Sequence, residues 1–411
     1  MTLDPVHVEE IGSLAREIGR DVDDADHDDL ADRVWNEFLD PLRVDGTVVL
    51  EPIEDCRRSL VEIDRVALLD RPYPTVHGLD SGTMNPTTFV NGAVVDVAHA
   101  ALARDPSDHD LHRKRSIVGA IHRYDASGVI PGTWESFDRG YARRRWLRTP
   151  RVERFAEGVV HAMALGAAEI AHARDNMESI DDVLLLDGPI YPKELLRWRD
   201  RHPALRELLL SEPSVRELLA DAVGLVDTAL SREVDLAGFV KNPASNRLTR
   251  SIRSAGGPAP WFNDAGFFRR VLDPSRVVDD PTSRLAYTNW FVSRAGTDGA
   301  IARGEPIDVR GERGRRTYEL SFMAIYDPRD EVVYHVEAPR GMTQDETRRD
   351  RIRDLALRSV AANRGPPTAI AKADQLARID RGQKRTVRRV IERSWETEVA
   401  ATYDDLRWGM E

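Results

Sequence analysis

Val183-Leu184-Leu185-Leu186-Asp187-Gly188-Pro189-Ile190 is the stretch on which the reading of this chain turns. Four consecutive aliphatic residues, with no polar alternation, read as a strand buried on both faces. The run stops at an acid followed by Gly-Pro, a turn signal. A carboxylate at the C-terminal edge of a central strand stands where open α/β sheets place their ligands. Asp also caps turns, so Asp187 alone decides nothing. Its weight comes from a second stretch of the same form, Thr75-Val-His-Gly-Leu-Asp80, and from Glu169, an acid on the helix between them.

Outward from these stretches the elements fall into order. Thr88-Phe89-Val90 faces Ala93-Val94-Val95 across Asn91-Gly92, a strong signal for a two-residue hairpin with a type I′ turn. Arg115 to Tyr124 reads as the next strand, completing an antiparallel meander. Phe155 to Ala173 is a helix with an apolar stripe of Phe155, Val159, Met163, Gly166 and Ile170. Glu169 lies on or beside that stripe, where a carboxylate is costly unless paired or metal-bound. After Asp187, Leu236 to Val240 is a further strand ending at Lys241. Lysine is scarce here (Lys114, Lys193, Lys241, Lys372 and Lys384 are all there are), so one directly after a buried strand stands out. As a point charge it suits a scissile phosphate.

Asp80 on a first strand, Glu169 on a helix and Asp187 at the end of a later strand follow the layout of an RNase H-like core. The fold class is therefore α/β: a mixed sheet with flanking helices, plus N-terminal and C-terminal helical segments. Clustered carboxylates stay ionised only with a counter-charge, which hard divalent cations supply. Two such ions roughly 3.5–4 Å apart serve phosphodiester hydrolysis. A glycosidase uses a similar pair of acids, but that chemistry explains neither Lys241 nor the arginines described next.

Arg139, Arg143, Arg144, Arg145, Arg148, Arg151 and Arg154 are interleaved with Tyr141 and Trp146 and opposed only by Glu153. Arginine with aromatics suits phosphate contact and base stacking, which makes Arg143, Arg144, Arg145, Trp146 and Arg148 candidate nucleic-acid contacts. The net charge of −11 does not argue against this. Residues 1–80 hold eight Arg against twenty-one Asp and Glu, so the remainder is slightly basic. Residues 1–73 read as an acidic helical extension, with Val8, Ile11, Leu14, Ile18 and then Leu30, Val34, Phe38, Leu42 at helical spacing. Residues 74–411 read as the catalytic domain, closed by helices over Thr343–Asn363, Ala369–Ile379 and Arg381–Trp395. A single cysteine, Cys56, excludes intrachain disulfides and cysteine-based zinc sites. Glu9, Glu10 and Glu17 argue against a signal peptide, and no segment reads as a membrane span, so a cytoplasmic protein is expected. Neither a Walker A sequence nor Gly-x-Gly-x-x-Gly is present, so ATP hydrolysis by this chain is not expected.

Over roughly residues 74–395 the chain resembles the NurA family. The resemblance rests on His77-Gly-Leu-Asp80-Ser-Gly, Glu169, Leu-Leu-Leu-Asp187-Gly-Pro, Val240-Lys241, Tyr334-His-Val-Glu337-Ala-Pro339, and Pro366-Pro367 through Ala373-Asp374. It implies a homodimer with a central DNA channel. It also implies Mn²⁺- or Mg²⁺-dependent 5′→3′ exonuclease and single-strand endonuclease activity. The setting it implies is DNA double-strand break end resection in archaeal homologous recombination, beside the hexameric translocase HerA. The family's closing Ala-His pair places a histidine in the active site; here that pair is Ala373-Asp374. Asp374 is then a fourth metal ligand, or the chain is a catalytically altered DNA-binding or HerA-regulating subunit. Lys372 is a second basic candidate for the missing histidine's role. A recombinase or RNA nuclease on the same core is a third reading.

Overall fold

The Asp80 segment is the first strand of the core. The computed structural model describes residues 4–19, 24–123, 132–304 and 307–401. We number the elements that position the site β1 (Val76–Thr83), β2 (Val94–Asp105), β3 (Arg115–His122), β4 (Ala142–Arg148), α1 (Ala156–Asn176), β5 (Val183–Leu186), α2 (Pro213–Ser231) and β6 (Asp235–Val240). They are followed by β7 (Leu320–Asp327), β8 (Val332–Pro339), α3 (Glu346–Asn363), α4 (Thr368–Ala377) and α5 (Arg381–Trp395).

The sheet runs β3-β2-β1-β5-β6 through its centre, with β2 antiparallel to its neighbours and β5 parallel to both β1 and β6. This is the RNase H-like strand order expected from the meander, helix and later strands. The β7–β8 hairpin extends the sheet beyond β6, with Glu337 of β8 opposite Gly238 of β6.

Helices cover both faces, which is why β5 is an unbroken apolar run. Leu79, Leu184 and Leu236 pack with α1 and α2 residues such as Val159, Met163 and Leu219. Val76, Leu185, Ala237 and Phe239 pack on the other face with Leu357 and Val360 of α3 and Ala369 and Ile370 of α4. Helix α4 lies directly on β1 because Gly78 and Gly82 have no side chain there. A Cβ on Gly78 would come within 2.3 Å of the Ala369 carbonyl carbon, and one on Gly82 within 2.4 Å of the Ala377 carbonyl oxygen. Gly78→Ala is therefore expected to push α4 off the sheet at a cost of about 1–3 kcal/mol. Chemical denaturation would read the lost stability. Activity should fall with it, since α4 carries Asp374.

Three expectations are corrected. Residues 1–73 are not helical throughout. Pro5–Gly19 and Asp24–Phe38 are helices, but Leu42–Val44, Thr47–Pro52 and Arg58–Glu62 are strands of the same sheet. Leu42–Val44 pairs with Thr47–Pro52, which pairs in turn with Phe291–Ser293, and Arg58–Glu62 pairs with Arg284–Thr288. Pro41 follows the second helix closely and disfavours its continuation, while Thr47-Val-Val suits a strand. The Asn91-Gly92 hairpin forms, but only Gly92 has positive φ, at 78°, so the turn is not type I′. The Gly92 N–H instead donates to the Phe89 carbonyl, and the Asn91 side chain accepts from the Ala93 N–H. The third concerns the tail of the expected strand over Arg115–Tyr124: the observed strand ends at His122, and Tyr124 lies outside the described residues. Among the described residues, no helix is long and apolar enough to cross a membrane.

Candidate active site

The register of β1 against β5 sets the site. Leu186 pairs with Leu79, and the Asp187 N–H donates to the Leu79 carbonyl at 2.9 Å, so the pairing runs one residue past the strand. Asp187 thereby stands across from Asp80. Side chains alternate along a strand. Asp80 shares its face with Gly78, Asp187 with Leu185, and Lys241 with Ala237 and Phe239. All three therefore lie on the α4 side, where α4 supplies Asp374. Ser81 points the other way, toward α1, and its hydroxyl donates to Glu169 Oε1 at 2.6 Å. Its N–H donates to Asp80 Oδ1 at 2.7 Å. Lys241 Nζ donates to Asp187 Oδ2 at 2.6 Å.

Electrostatics bind the group together. Burial, followed by the charges of Asp187, Glu169 and Asp374, pushes the Asp80 carboxyl up to about 8, against the bond from the Ser81 N–H. Burial raises Glu169 to about 7; the Asp187 charge adds to this, while Ser81 and His161 oppose it. Asp187 is raised by burial despite its bond to Lys241. Lys241 loses by burial, but the bond to Asp187 and the charges of Asp187, Asp80 and Asp374 outweigh that and hold it above the usual lysine range. One ammonium thus faces three carboxylates, with Glu169 a fourth beyond Asp80, and the group is short of positive charge.

Oxygen-only donors with excess negative charge fit a hard divalent cation. Among the described residues, no three such side chains are gathered closely enough to enclose an ion as they stand. Each is turned to a local donor instead: Glu169 to Ser81, Asp187 to Lys241, Asp80 to a backbone N–H. A cleft of about 490 Å³ opens beside them, lined by His161, Glu169, Asp187, Lys193, Asn242 and Arg247 among others.

Two supporting groups were given no role by the sequence reading. Glu337 is fully buried on β8 and holds the loop after Asp187: its Oε1 accepts from the Ile190 N–H at 2.8 Å and its Oε2 from Lys193 Nζ at 2.5 Å. Burial alone would raise its pKa, but Lys193 and His335 pull the carboxyl down to about 2. The second group is His161, two turns before Glu169, whose Nδ1 meets the buried Asp96 Oδ2 at 2.8 Å. The signal for His161 was its spacing of eight from Glu169, which keeps both on one helix face. Glu337 stood in the Tyr334–Pro339 segment that carries the family resemblance, but beyond being an acid in an apolar strand it gave no sign of its role.

The arginine-rich segment is strand β4, pairing with β3 on one side and Glu135–Phe137 on the other. Arg143 points inward, donating to Ser116 and to the Ala171 carbonyl and pairing with Asp175 at 2.7 Å. Arg144 pairs with Glu135, Arg145 is half-buried, and Trp146 packs on Gly119. Of the five candidate contacts only Arg148 is exposed without an ion pair among the described residues. Lys372 donates to Asp105 and Ser107 and makes no hydrogen bond to Asp80, Asp187, Glu169 or Asp374 among the described residues.

Strand order and carboxylate-lined sheet edge together define an RNase H-like α/β protein whose site is built to gather negative charge. The sequence model described as the NurA domain matches residues 74–379. The chain belongs to the NurA family of nucleases. Among solved structures it is similar to the NurA nuclease from Sulfolobus solfataricus, at 11% identity over 94% of each chain with a TM-score of 0.46. It is also similar to NurA with manganese (9% identity over 80% of this chain and 95% of that one, TM-score 0.40). NurA bound to dAMP and manganese is a third (10% identity over 79% and 89%, TM-score 0.42). No curated protein matches the chain.

Proposed function

We propose that this protein is a deoxyribonuclease that hydrolyses phosphodiester bonds with two divalent cations, Mn²⁺ or Mg²⁺, held by Asp80, Glu169, Asp187 and Asp374. The observation that carries this reading is the convergence of four carboxylates and one lysine at one sheet edge. Bound there, divalent cations supply an activated water and stabilise the leaving oxygen. The chain's own residues do the rest. Lys241, kept protonated by Asp187, Asp80 and Asp374, offers N–H donors to a non-bridging phosphate oxygen. Ser81 orients Glu169, and Glu337 fixes the turn that carries Asp187. Asp374 adds an oxygen donor where the family has an imidazole, a change that favours metal binding over proton transfer.

Membership of the family supports the finer reading: 5′→3′ exonuclease and single-strand endonuclease action in DNA end resection, as a cytoplasmic homodimer working with a HerA-type translocase. The test is degradation of a 5′-labelled duplex and a circular single strand with Mn²⁺, Mg²⁺ or EDTA, for the wild-type protein and Asp187→Asn. Metal-dependent loss of label that disappears in the variant is expected. DNA binding without cleavage under every metal would instead make the chain a non-catalytic DNA-binding or HerA-regulating subunit.

A further inference from the structure

Helix α5 docks on the sheet through Val387, Ile391 and Trp395, which pack among Met84, Phe89, Val95 and Ile121. Arg381, Arg385, Arg389 and Arg393 recur at the same interval of four, each two or more positions from a docking residue, on the exposed side. Two residues turn a helix by about 200°, so this ridge lies opposite the docked one, and the equal interval keeps them opposed. All four arginines are exposed, and none makes an ion pair or hydrogen bond among the described residues. The two other basic residues of the helix are used for docking: Lys384 reaches Asn85 at 3.3 Å and Arg388 reaches Thr87 at 3.1 Å. The one acid, Glu392, accepts from the Val399 N–H.

The ridge begins where the chain leaves α4, the helix that carries Asp374. Lys384 anchors α5 to Asn85, just past the end of β1, the strand that carries Asp80. The chain enters α5 from the end of α4, which carries Asp374; Arg378, exposed and also without an ion pair among the described residues, stands one turn after Asp374. Four residues rise about 6 Å, so the four guanidinium groups span about 18 Å, roughly one for every two phosphates of a DNA strand.

We propose that Arg381, Arg385, Arg389 and Arg393 of α5 bind the phosphate backbone of the DNA that enters the carboxylate site. The identity of the anion as DNA rests on the nuclease reading. A protein partner would need an apolar centre to its interface, and the ridge offers only Val390. The assignment moves the principal DNA contact from β4, where Arg143 and Arg144 are engaged by Asp175 and Glu135, to α5.

The test is fluorescence anisotropy of the full chain with a labelled duplex in EDTA across a salt series. It compares the wild type with R381Q/R385Q/R389Q/R393Q, with the corresponding four Arg→Lys changes, and with Asp80→Asn. Each phosphate contact contributes about 0.9 to the slope of log affinity against log salt, so the Gln variant is expected to lose up to about 3.6 of that slope. The Lys variant should keep it, because the contact is a charge. Asp80→Asn should bind with the wild-type slope while cleaving nothing. On an oligonucleotide too short to reach α5 the Gln variant should cleave at the wild-type kcat, with KM raised only on longer DNA. Gln is a good helix former at these exposed positions, so the melting temperature should not move. An unchanged slope in the Gln variant overturns the assignment. A ridge-dependent slope in a wild-type protein that cleaves under no metal overturns the nuclease reading and leaves the ridge standing.

Discussion

Asp80→Asn is expected to abolish DNA cleavage while making the metal-free protein more stable at pH 8. Both halves follow from one geometry. Asp80 sits partly buried on β1, opposite Asp187 and facing Asp374, with its oxygen held by the Ser81 N–H. The substitution keeps shape and hydrogen-bond acceptor and removes only the charge that would hold a cation. A loss of several kcal/mol of charge stabilisation corresponds to a rate loss of about 10³-fold or more. The stability gain has the opposite sign because the folded pKa is raised, to about 8. For such a group the folded state favours the proton: the contribution is fully present below the unfolded value near 3.8 and is lost as pH rises through the folded value. At pH 8 the wild type therefore carries an uncompensated charge that asparagine lacks, worth on the order of 1–3 kcal/mol. Melting curves should show the variant ahead at pH 8 and level with the wild type near pH 4. Added Mn²⁺ should raise the wild-type melting temperature at pH 8 and the variant's far less. Wild-type cleavage by the purified variant would rule out this site.

The largest stability loss is expected from Glu337→Ala. Glu337 is fully buried between the Ile190 N–H and the Lys193 ammonium, with His335 at 3.3 Å. Removing one partner of a buried ion pair costs about 3–5 kcal/mol when the other charge is left unpaired. Here Lys193 keeps only Asp298, at 3.4 Å, among the described residues, so the loss is expected toward the lower end of that range. The alanine also frees the Gly188–Ile190 turn, so Asp187 loses its setting and cleavage should fall along with stability. Glu337→Gln, which still accepts from Ile190 but cannot neutralise Lys193, should lie between. Here the folded pKa is depressed to about 2, so the stabilisation is present above the unfolded value of 4.5 and lost as pH falls through about 2. Urea unfolding at pH 7 measures the loss; a midpoint equal to that of the wild type would show that the pair does not hold the turn.

Local sequence carried a large part of this. Hydrophobic run length marked β5, the acid before Gly-Pro marked its end, and helical spacing placed Glu169 on the α1 stripe. Those signals are local because each depends on the period of one element. They failed where pairing decided the outcome. Thr47–Pro52 became a strand because it met Phe291–Ser293 from the far end of the chain. The arginines of 143–148 became a sheet strand closing on Ser116 and Asp175 rather than an open basic surface.

The sequence by itself determined which residues carry charge at the ends of buried segments: Asp80, Asp187 and Lys241 after or within apolar strands, Glu169 on an apolar helix face. The order of the segments already grouped Asp80, Glu169 and Asp187, and only the tertiary structure decided how they meet. It brought Asp374 to them by laying α4 over Gly78 and Gly82, put Ser81 under Glu169, and set Glu337 beneath the Asp187 turn. The physical reason is that burial and Coulomb interactions act through space, between side chains up to about 290 residues apart in the chain, and no pattern along one element encodes them.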